Sequence, residues 1–402
     1  ALREEGVDTV FGYPGGAALN IYDETYKQSY FRHVLTRHEQ AAVHAADGYA
    51  RASGKVGVAF VTSGPGFTNA VTGLATAYSD SIPLVLISGQ VATSLIGTDA
   101  FQEIDAVGIS RPCVKHNYLV RSIEELPRIL KEAFYIARSG RPGPVHVDIP
   151  KDITAAVGDF DYPTEIKMPT YKPTYKGNAK QIKKALEVIA EAKRPLLYLG
   201  GGVVAANASE LVRKFSAKTG IPAVETLMGL GVLAHEDKNL LSMVGMHGSY
   251  AANMAMSETD LIIALGVRFD DRVTGRLDSF APRATVVHID IDAAEISKNR
   301  HADIPIVADL ATALPILTEE IAQASSENKA DISGWWRYLD RLRTKYPIGW
   351  AEPEDGMMAP QEVIKKLSDK VGPEAIYVTG VGQHQMWAAQ FITLDNPRSF
   401  IS

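Results

Sequence analysis

Short apolar runs that end at Gly, Ser or Asp alternate along this chain with longer stretches whose apolar residues recur every three to four positions. The runs Thr9–Phe11, Val56–Val61, Leu84–Ser88 and Val145–Ile149 predict strands in the first part of the chain. Leu196–Leu199, Leu261–Leu265, Thr285–Ile291 and Ala375–Thr379 predict four more. Between them, Leu126, Ile129, Leu130, Ala133, Phe134 and Ala137 form one helical stripe, and Ile182, Ala185, Leu186, Ile189 and Ala190 form another. Stripes of this kind face a core rather than a ligand. Strand and helix in alternation are the mark of βαβ units, so the expected fold class is α/β with doubly wound parallel sheets. Such sheets bind ligands outside the carboxyl ends of their strands, which is where the chemistry should lie.

Two polar stretches interrupt the pattern. Residues 158–177 carry Pro163, Pro169 and Pro173 and read as a linker, and Gln323–Asp331 is rich in Ser and Ala. At 402 residues the chain is too long for one ordinary core. The expected domains are 1–157, 178–325 and a third over 359–402. Residues 326–358 between the last two would be a linker carrying a helix around Trp335–Leu339, and Pro360 suits a first helical position. Ala1–Gly6 reads as the last turn of a helix closed by glycine, and Ser399–Ser402 brings no closing element, so an internal piece of a longer protein is expected.

Composition narrows the partners. Hydrophobic residues make up 46% and charged residues 22%, the balance of a soluble protein. A net charge of −6 without any basic stripe argues against a nucleic-acid partner. The sequence has no apolar run of membrane-spanning length and no signal-peptide pattern. The single cysteine, Cys113, rules out an intrachain disulfide and a Cys-based zinc site, which fits a reducing, cytoplasmic setting.

Glu39 opens an Ala-rich helical stretch that leads into a strand, a glycine turn and another helix. On residue type alone it is a favourable charge at a helix start. That reading wins on residue type, although an enzyme needs such an acid to hold a heterocyclic cofactor, and the rest of the chain bears on the choice. Tyr13–Gly16 and Ser63–Gly66 each follow a strand and precede a helix, where glycine lets backbone approach a ligand. Neither is a Walker loop or a dinucleotide fingerprint. Thr9–Gly16 and Ile376–His384 share one strand–turn–helix grammar, a faint internal echo. In the middle of the chain, Gly200–Gly202, Arg268–Arg272, Asp290 and Asp309 follow successive strands, as groups holding a dinucleotide would. Arg268–Arg272 could also be a surface salt-bridge cluster. His247 lacks metal-ligand spacing to a second His or Cys.

Taken together these segments resemble the catalytic large subunit of the acetohydroxyacid synthase (acetolactate synthase) family of thiamine-diphosphate enzymes. The resemblance rests on Phe11–Ala17, Arg37–Gln40, Asp47–Gly54, Thr62–Gly66 and Gly97–Glu103. It continues through Ser139–Pro144, Ile149–Asp152, Thr226–Gly231, Arg268–Gly275 and Val381–Trp387, in the family's order. It implies that Glu39 hydrogen-bonds the pyrimidine N1′ of thiamine diphosphate, and that Gly16 and Gln102 meet reaction intermediates. Tyr13, Pro14, Gly15, Pro65 and Asn69 would line the pyrimidine, and Val381, Gly382, Gln383 and His384 would begin the diphosphate site. Phe101, Lys151 and Arg272 would line a substrate channel.

The resemblance also implies FAD without a redox role in the main reaction. Arg141, Gly201, Gly202, Thr226, Leu227 and Met228 match its binding segments, followed by Met246, His247 and Gly266. Arg268, Asp270, Arg272, Asp290, Ile291 and Asp309 complete them. Mg²⁺ is implied too, but the family's Gly-Asp-Gly motif does not occur in this sequence, so no residue here is named as its ligand. Gly380 stands where the family usually has an acidic residue. The implied activity is decarboxylation of pyruvate and ligation to pyruvate or 2-ketobutyrate, the first common step of branched-chain amino-acid synthesis. It would take place in a homodimer or larger oligomer with shared sites, with a possible regulatory small subunit. A pyruvate oxidase or another keto-acid decarboxylase or carboligase keeps the same fold, and a non-catalytic nucleotide-binding module is a third reading.

Overall fold

The computed structural model describes residues 1–323, 330–354 and 356–402; most of the second predicted linker, residues 324–329, lies outside the described residues, as does residue 355. The chain forms two compact units, Ala1–Lys172 and Pro173–Ser402.

The first unit is built on six strands: β1 (Thr9–Gly12), β2 (Arg32–Leu35), β3 (Gly57–Val61), β4 (Leu84–Gln90), β5 (His116–Leu119) and β6 (Pro144–Pro150). All pair in parallel, in the order β2-β1-β3-β4-β6-β5. Because side chains alternate across a strand, β3 and β4 sort their residues into two cores. Val58, Phe60, Val85 and Ile87 pack under the helix Leu126–Arg138. Ala59, Val61, Leu84 and Leu86 pack under the helices Glu39–Ser53 and Pro65–Ser79. Both faces are therefore covered, as a parallel sheet requires.

The second unit repeats the plan with β7 (Pro195–Leu199), β8 (Ala223–Glu225), β9 (Leu240–Met243), β10 (Leu261–Leu265), β11 (Thr285–Asp290) and β12 (Ile304–Val307). Their order is β12-β11-β10-β7-β8-β9, again parallel. Leu197, Leu199, Leu261, Ile263 and Leu265 face one core, while Leu196, Tyr198, Ile262 and Ala264 face the other. Trp335 of the helix Ser333–Lys345 belongs to the latter core, and its indole donates to the Pro195 carbonyl at 3.1 Å. Residues 359–402 pack in this unit as well. The helices Pro360–Val371 and Gln383–Phe391 accompany a short parallel pair, β13 (Tyr377–Val378) and β14 (Phe400–Ile401). Ala388, Ala389, Ile392 and Leu394 share a core with Leu230 and Met243.

In the first unit Arg51 ties the two helices of one layer together. It donates to Asp47 Oδ1 at 2.5 Å and to Asp80 Oδ2 at 2.7 Å with its side chain almost wholly buried. Removing one member of a buried ion network leaves charge uncompensated. Arg51→Met is expected to lower the unfolding free energy by about 3–5 kcal/mol, checked by the urea midpoint of the first transition.

Candidate functional site

In the first sheet the chain steps from β1 to β2 on one side and later to β3 on the other. The crevice between the carboxyl ends of β1 and β3 is thus a topological switch point. The turn Tyr13–Gly16 leaves β1 there, and Thr62–Gly66 leaves β3. Thr62 joins the two turns. Its Oγ1 accepts from the Ala17 amide at 3.2 Å, and its methyl lies 2.6 Å from where a Cβ on Gly66 would stand. A Cβ on Gly66 would also stand 3.4 Å from Glu39 Oε1, whereas one on Gly16 would meet nothing within 4 Å.

Glu39 is the first residue of its helix, capped by His38, whose Nδ1 accepts from the Gln40 amide at 3.1 Å. Its side chain does not point into solvent: the residue is only 8% exposed. Asn69, one turn into the helix Pro65–Ser79, donates to Glu39 Oε2 at 2.9 Å. One carboxyl oxygen is thereby fixed and the other faces the glycine turn. Nearby, burial and the charge of Glu39 hold the Tyr22 phenol well above its ordinary range, so this ring stays neutral. A buried carboxyl with one fixed oxygen, beside a cleft floored by glycine, can hold a hydrogen bond to a ring nitrogen.

Gln102 closes over the same turn. Its backbone has φ +62°, and its carbonyl oxygen lies 2.6 Å from where a Cβ on Gly64 would stand; Gly64 itself has φ +55°. Only glycine meets both demands at that position. Phe101 is 88% exposed. The loop carrying both residues is tied to the short helix after β6 by Thr93, whose amide and hydroxyl donate to Asp152 at 2.9 and 2.6 Å. Lys151, exposed, is the neighbour of Asp152 in the short helix Lys151–Ala155.

In the second sheet the switch point lies between β7 and β10. The glycine turns after these strands touch: the Gly202 amide donates to the Gly266 carbonyl at 3.0 Å, and a Cβ on Gly202 would stand 2.6 Å from Gly266 Cα. Met228, after β8, sits 3.0 Å from where a Cβ on Gly201 would be. Thr226 Oγ1 and His247 Nδ1 are buried at neighbouring strand ends without a hydrogen-bond partner among the described residues. Burial lowers the His247 pKa, which favours a neutral ring with a free acceptor or donor. Unsatisfied groups of this kind, at a strand-end crevice, fit the polar edge of a dinucleotide such as FAD.

Arg268 and Asp270 form an exposed ion pair at 3.3 Å, and Arg272 lies 3.9 Å from Asp271. The salt-bridge reading of this segment is therefore real. These residues also border a cavity of about 300 Å³ lined by Arg268, Phe269, Asp270, Glu295, Lys298 and Asn299. Asp290 accepts from the Asp292 amide at 2.8 Å and Asp309 from the Ala311 amide at 2.7 Å, each at the end of its strand.

The structure thus gathers Tyr13–Gly16, Glu39, Pro65, Asn69 and Gln102 around one switch point of the first unit. It gathers Gly201, Gly202, Thr226–Met228, Gly266 and Arg268 around that of the second, with Met246, whose amide donates to the Arg272 carbonyl at 2.9 Å. His247, Asp290, Ile291 and Asp309 occupy neighbouring strand ends. Arg141 lies in the first unit, where it donates to Ser81 Oγ at 2.7 Å. Val381 is exposed and Gly382 caps the helix carrying Gln383 and His384. Glu295, Lys298 and Asn299 escaped the sequence reading, and Thr62 entered it only within the segment Thr62–Gly66, without a role of its own. Thr62 was legible as the polar residue at a strand end before a glycine turn; the other three follow β11 in a segment with no periodic signal. Among the described residues no group of three or more His, Cys, Asp or Glu could hold a metal ion.

Residues 1–109 match the family model described as thiamine pyrophosphate enzyme, N-terminal TPP binding domain. Residues 182–317 match that described as thiamine pyrophosphate enzyme, central domain. Over all 402 residues the chain is 52% identical to the acetolactate synthase of Mycobacterium bovis, covering 65% of that protein. It is 50% identical to the acetolactate synthase large subunit of Corynebacterium glutamicum over 64% of its length. The acetolactate synthase isozyme 3 large subunit of Escherichia coli is 49% identical, with 70% covered. The chain spans about two thirds of the length of these curated relatives.

The glycine contact in the second unit has a direct test. In Gly202→Ala the added methyl meets backbone that cannot rotate away, and the β7 and β10 turns must part. A loss of about 1–3 kcal/mol is expected, as for other overpacked sites, read from the denaturation midpoint of the second unit.

Proposed function

The chain belongs to the acetolactate synthase large-subunit family, and on that premise we propose that the whole protein decarboxylates pyruvate and joins the two-carbon remainder to a second 2-keto acid. With pyruvate the product is 2-acetolactate; with 2-ketobutyrate it is 2-aceto-2-hydroxybutyrate. The observation that carries this reading is Glu39, buried, fixed by Asn69 and facing the glycine turn at a switch point. Thiamine diphosphate, when bound, supplies the carbon nucleophile and accepts the electron pair left by the departing carbon dioxide.

The chain's own residues do the rest. Glu39 Oε1 holds a proton in a hydrogen bond to the pyrimidine nitrogen, while Asn69 keeps Oε2 from rotating into that place. Tyr13, Pro14, Gly15 and Pro65 border the pyrimidine. Gly16, with open space beside its Cα, and Gln102 meet the reacting atoms. Phe101 and Lys151 line the approach in the first unit, the cation suiting a keto-acid carboxylate.

In the second unit Gly201, Gly202, Thr226, His247, Gly266 and Arg268 hold FAD, supported by the unpartnered Thr226 and His247 atoms and the close glycine turns. Val381–His384 begin the diphosphate site, in a third domain that starts near residue 359. Mg²⁺ would bind there through ligands other than those described here. The functional state is at least a homodimer with shared sites, in the cytoplasm, with a regulatory small subunit as a possible partner.

The experiment is turnover of pyruvate by the full-length protein with thiamine diphosphate, Mg²⁺ and FAD. Glu39→Gln is expected to cut acetolactate formation by roughly 10²–10⁴-fold, the usual worth of a placed acid or base, with FAD still bound. Near wild-type turnover in that variant would sink the assignment of Glu39. Flavin reduction during turnover on pyruvate, without acetolactate, would favour an oxidase instead. Separately, Arg268→Ala is expected to lose flavin on dialysis; unchanged flavin content would remove Arg268 from the flavin site.

A further inference from the structure

One buried side chain closes both ends of the loop that presents Phe101 and Gln102. Gln90, the last residue of β4, is 3% exposed. Its Oε1 accepts from the amide of Val91, where the loop departs, at 2.9 Å. Its Nε2 donates to the carbonyl of Ile104, where the loop returns, at 2.9 Å, and to Asp148 Oδ2 at 3.0 Å. All the hydrogen-bonding capacity of the amide group's two donors is spent on this clamp.

A second side chain ties the tip. The Glu103 carboxylate accepts from the amides of Gly97 and Ala100, the latter at 3.0 Å. These backbone donors hold its carboxyl below the ordinary range, so it is ionised and binds them at full strength. Between the two ties the backbone takes positive φ at Gly97, Asp99 and Gln102. For Asp99 and Gln102 such angles persist only where surrounding contacts impose them. The tip then rests on Gly64, two residues from the glycine that faces Glu39.

We propose that Gln90 and Glu103 are positioning residues, which hold the loop 91–104 so that Gln102 is fixed over the turn facing Glu39. This inference rests on the proposed role of Gln102. Neither residue touches substrate; each acts through the backbone that carries Gln102. A clamp of this kind matters because a displacement of about 1 Å at a reacting centre can cost on the order of 100-fold in rate.

The test uses the full-length protein loaded with thiamine diphosphate, Mg²⁺ and FAD. Gln90→Met keeps the side-chain length and removes the clamp; Glu103→Ala removes the tie from a partly exposed position and carries the test should Gln90→Met fail to fold. Hydrogen exchange of the amides of residues 97–103 is expected to speed up at least 10-fold in either variant, with exchange in the helix Glu39–Ser53 unchanged. kcat/KM for pyruvate is expected to fall on the order of 10–100-fold. Combined with Gln102→Ala, either variant is expected to add little to the loss that Gln102→Ala causes alone. Unchanged exchange in the loop, or losses that multiply in the double variants, would overturn the proposal. If wild-type protein forms no acetolactate, the functional reading fails, while the exchange measurement still decides whether the two side chains hold the loop.

Discussion

The arrangement depends on backbone meeting backbone at strand ends. In each six-stranded sheet the winding reverses beside the first strand, and the chain must turn away from two adjacent strands at the same level. In the second sheet the register pairs Leu199 with Leu265, so the turns that follow them leave side by side. Gly202 and Gly266 then approach to a distance at which a single methyl would have no room. The first sheet meets the same constraint differently. There the glycines face a threonine, a carboxylate and the carbonyl of a returning loop. The outcome in both is a crevice walled by main chain, where a ligand can come close to peptide groups.

Within that frame the properties of Glu39 follow from three neighbours. Its position at a helix start gives it a favourable dipole, which accounts for its tolerance there and says nothing about catalysis. Burial beneath the turn removes water, and Asn69 fixes one oxygen. Gly66 leaves the other oxygen open to the crevice, because any larger residue would collide with Thr62 before reaching it. The bland reading of a helix-start acid and the catalytic reading differ only in these long-range contacts, and none of them can be seen in the local sequence.

The central strands were legible because they are buried on both faces and read as unbroken apolar runs: β3, β4, β6, β7, β10 and β11 all lie at or near predicted positions. The strands that escaped are edge or near-edge strands. β2 (Arg-His-Val-Leu) and β5 (His-Asn-Tyr-Leu) flank the first sheet with no fully buried residue, and β8 spans only three residues. A half-exposed strand four residues long carries too little pattern to stand out from a loop. The two helical stripes fared better, since Ile129, Leu130, Ala133, Phe134, Ile182 and Ala185 are all buried as their spacing implies. At the site, the glycine turns and Glu39 were legible as motifs. Asn299, the clamp at Gln90 and the bond between Thr62 and Ala17 were not, because their meaning lies in partners from 14 to 45 residues away.

The buried Ser88, His146 and Asp148 show how residue type misleads without geometry. Their composition is that of a nucleophilic triad, yet Ser88 stands between the other two, 2.7 Å from His146 Nε2 and donating to Asp148 Oδ1 at 2.6 Å, and all three are sealed from solvent. Burial pushes the His146 pKa down to about 3, so the ring is neutral and has one donor and one acceptor. Since the Ser88 hydroxyl is committed to Asp148, Nε2 must donate to Ser88. Nδ1 is then the acceptor nitrogen, 3.0 Å from Ser110 Oγ, which also lies 3.2 Å from the Val107 carbonyl and takes the Asn117 amide at 2.9 Å. The polar chain therefore reaches from Asn117 on the edge strand β5 to Asp148, and there it meets Gln90. Phe67, stacked on His146 at 4.6 Å, sits two residues before Asn69. A single satisfied polar network in the core thus supports both the helix that fixes Glu39 and the loop that carries Gln102, and its chemistry is spent on geometry rather than on bond making.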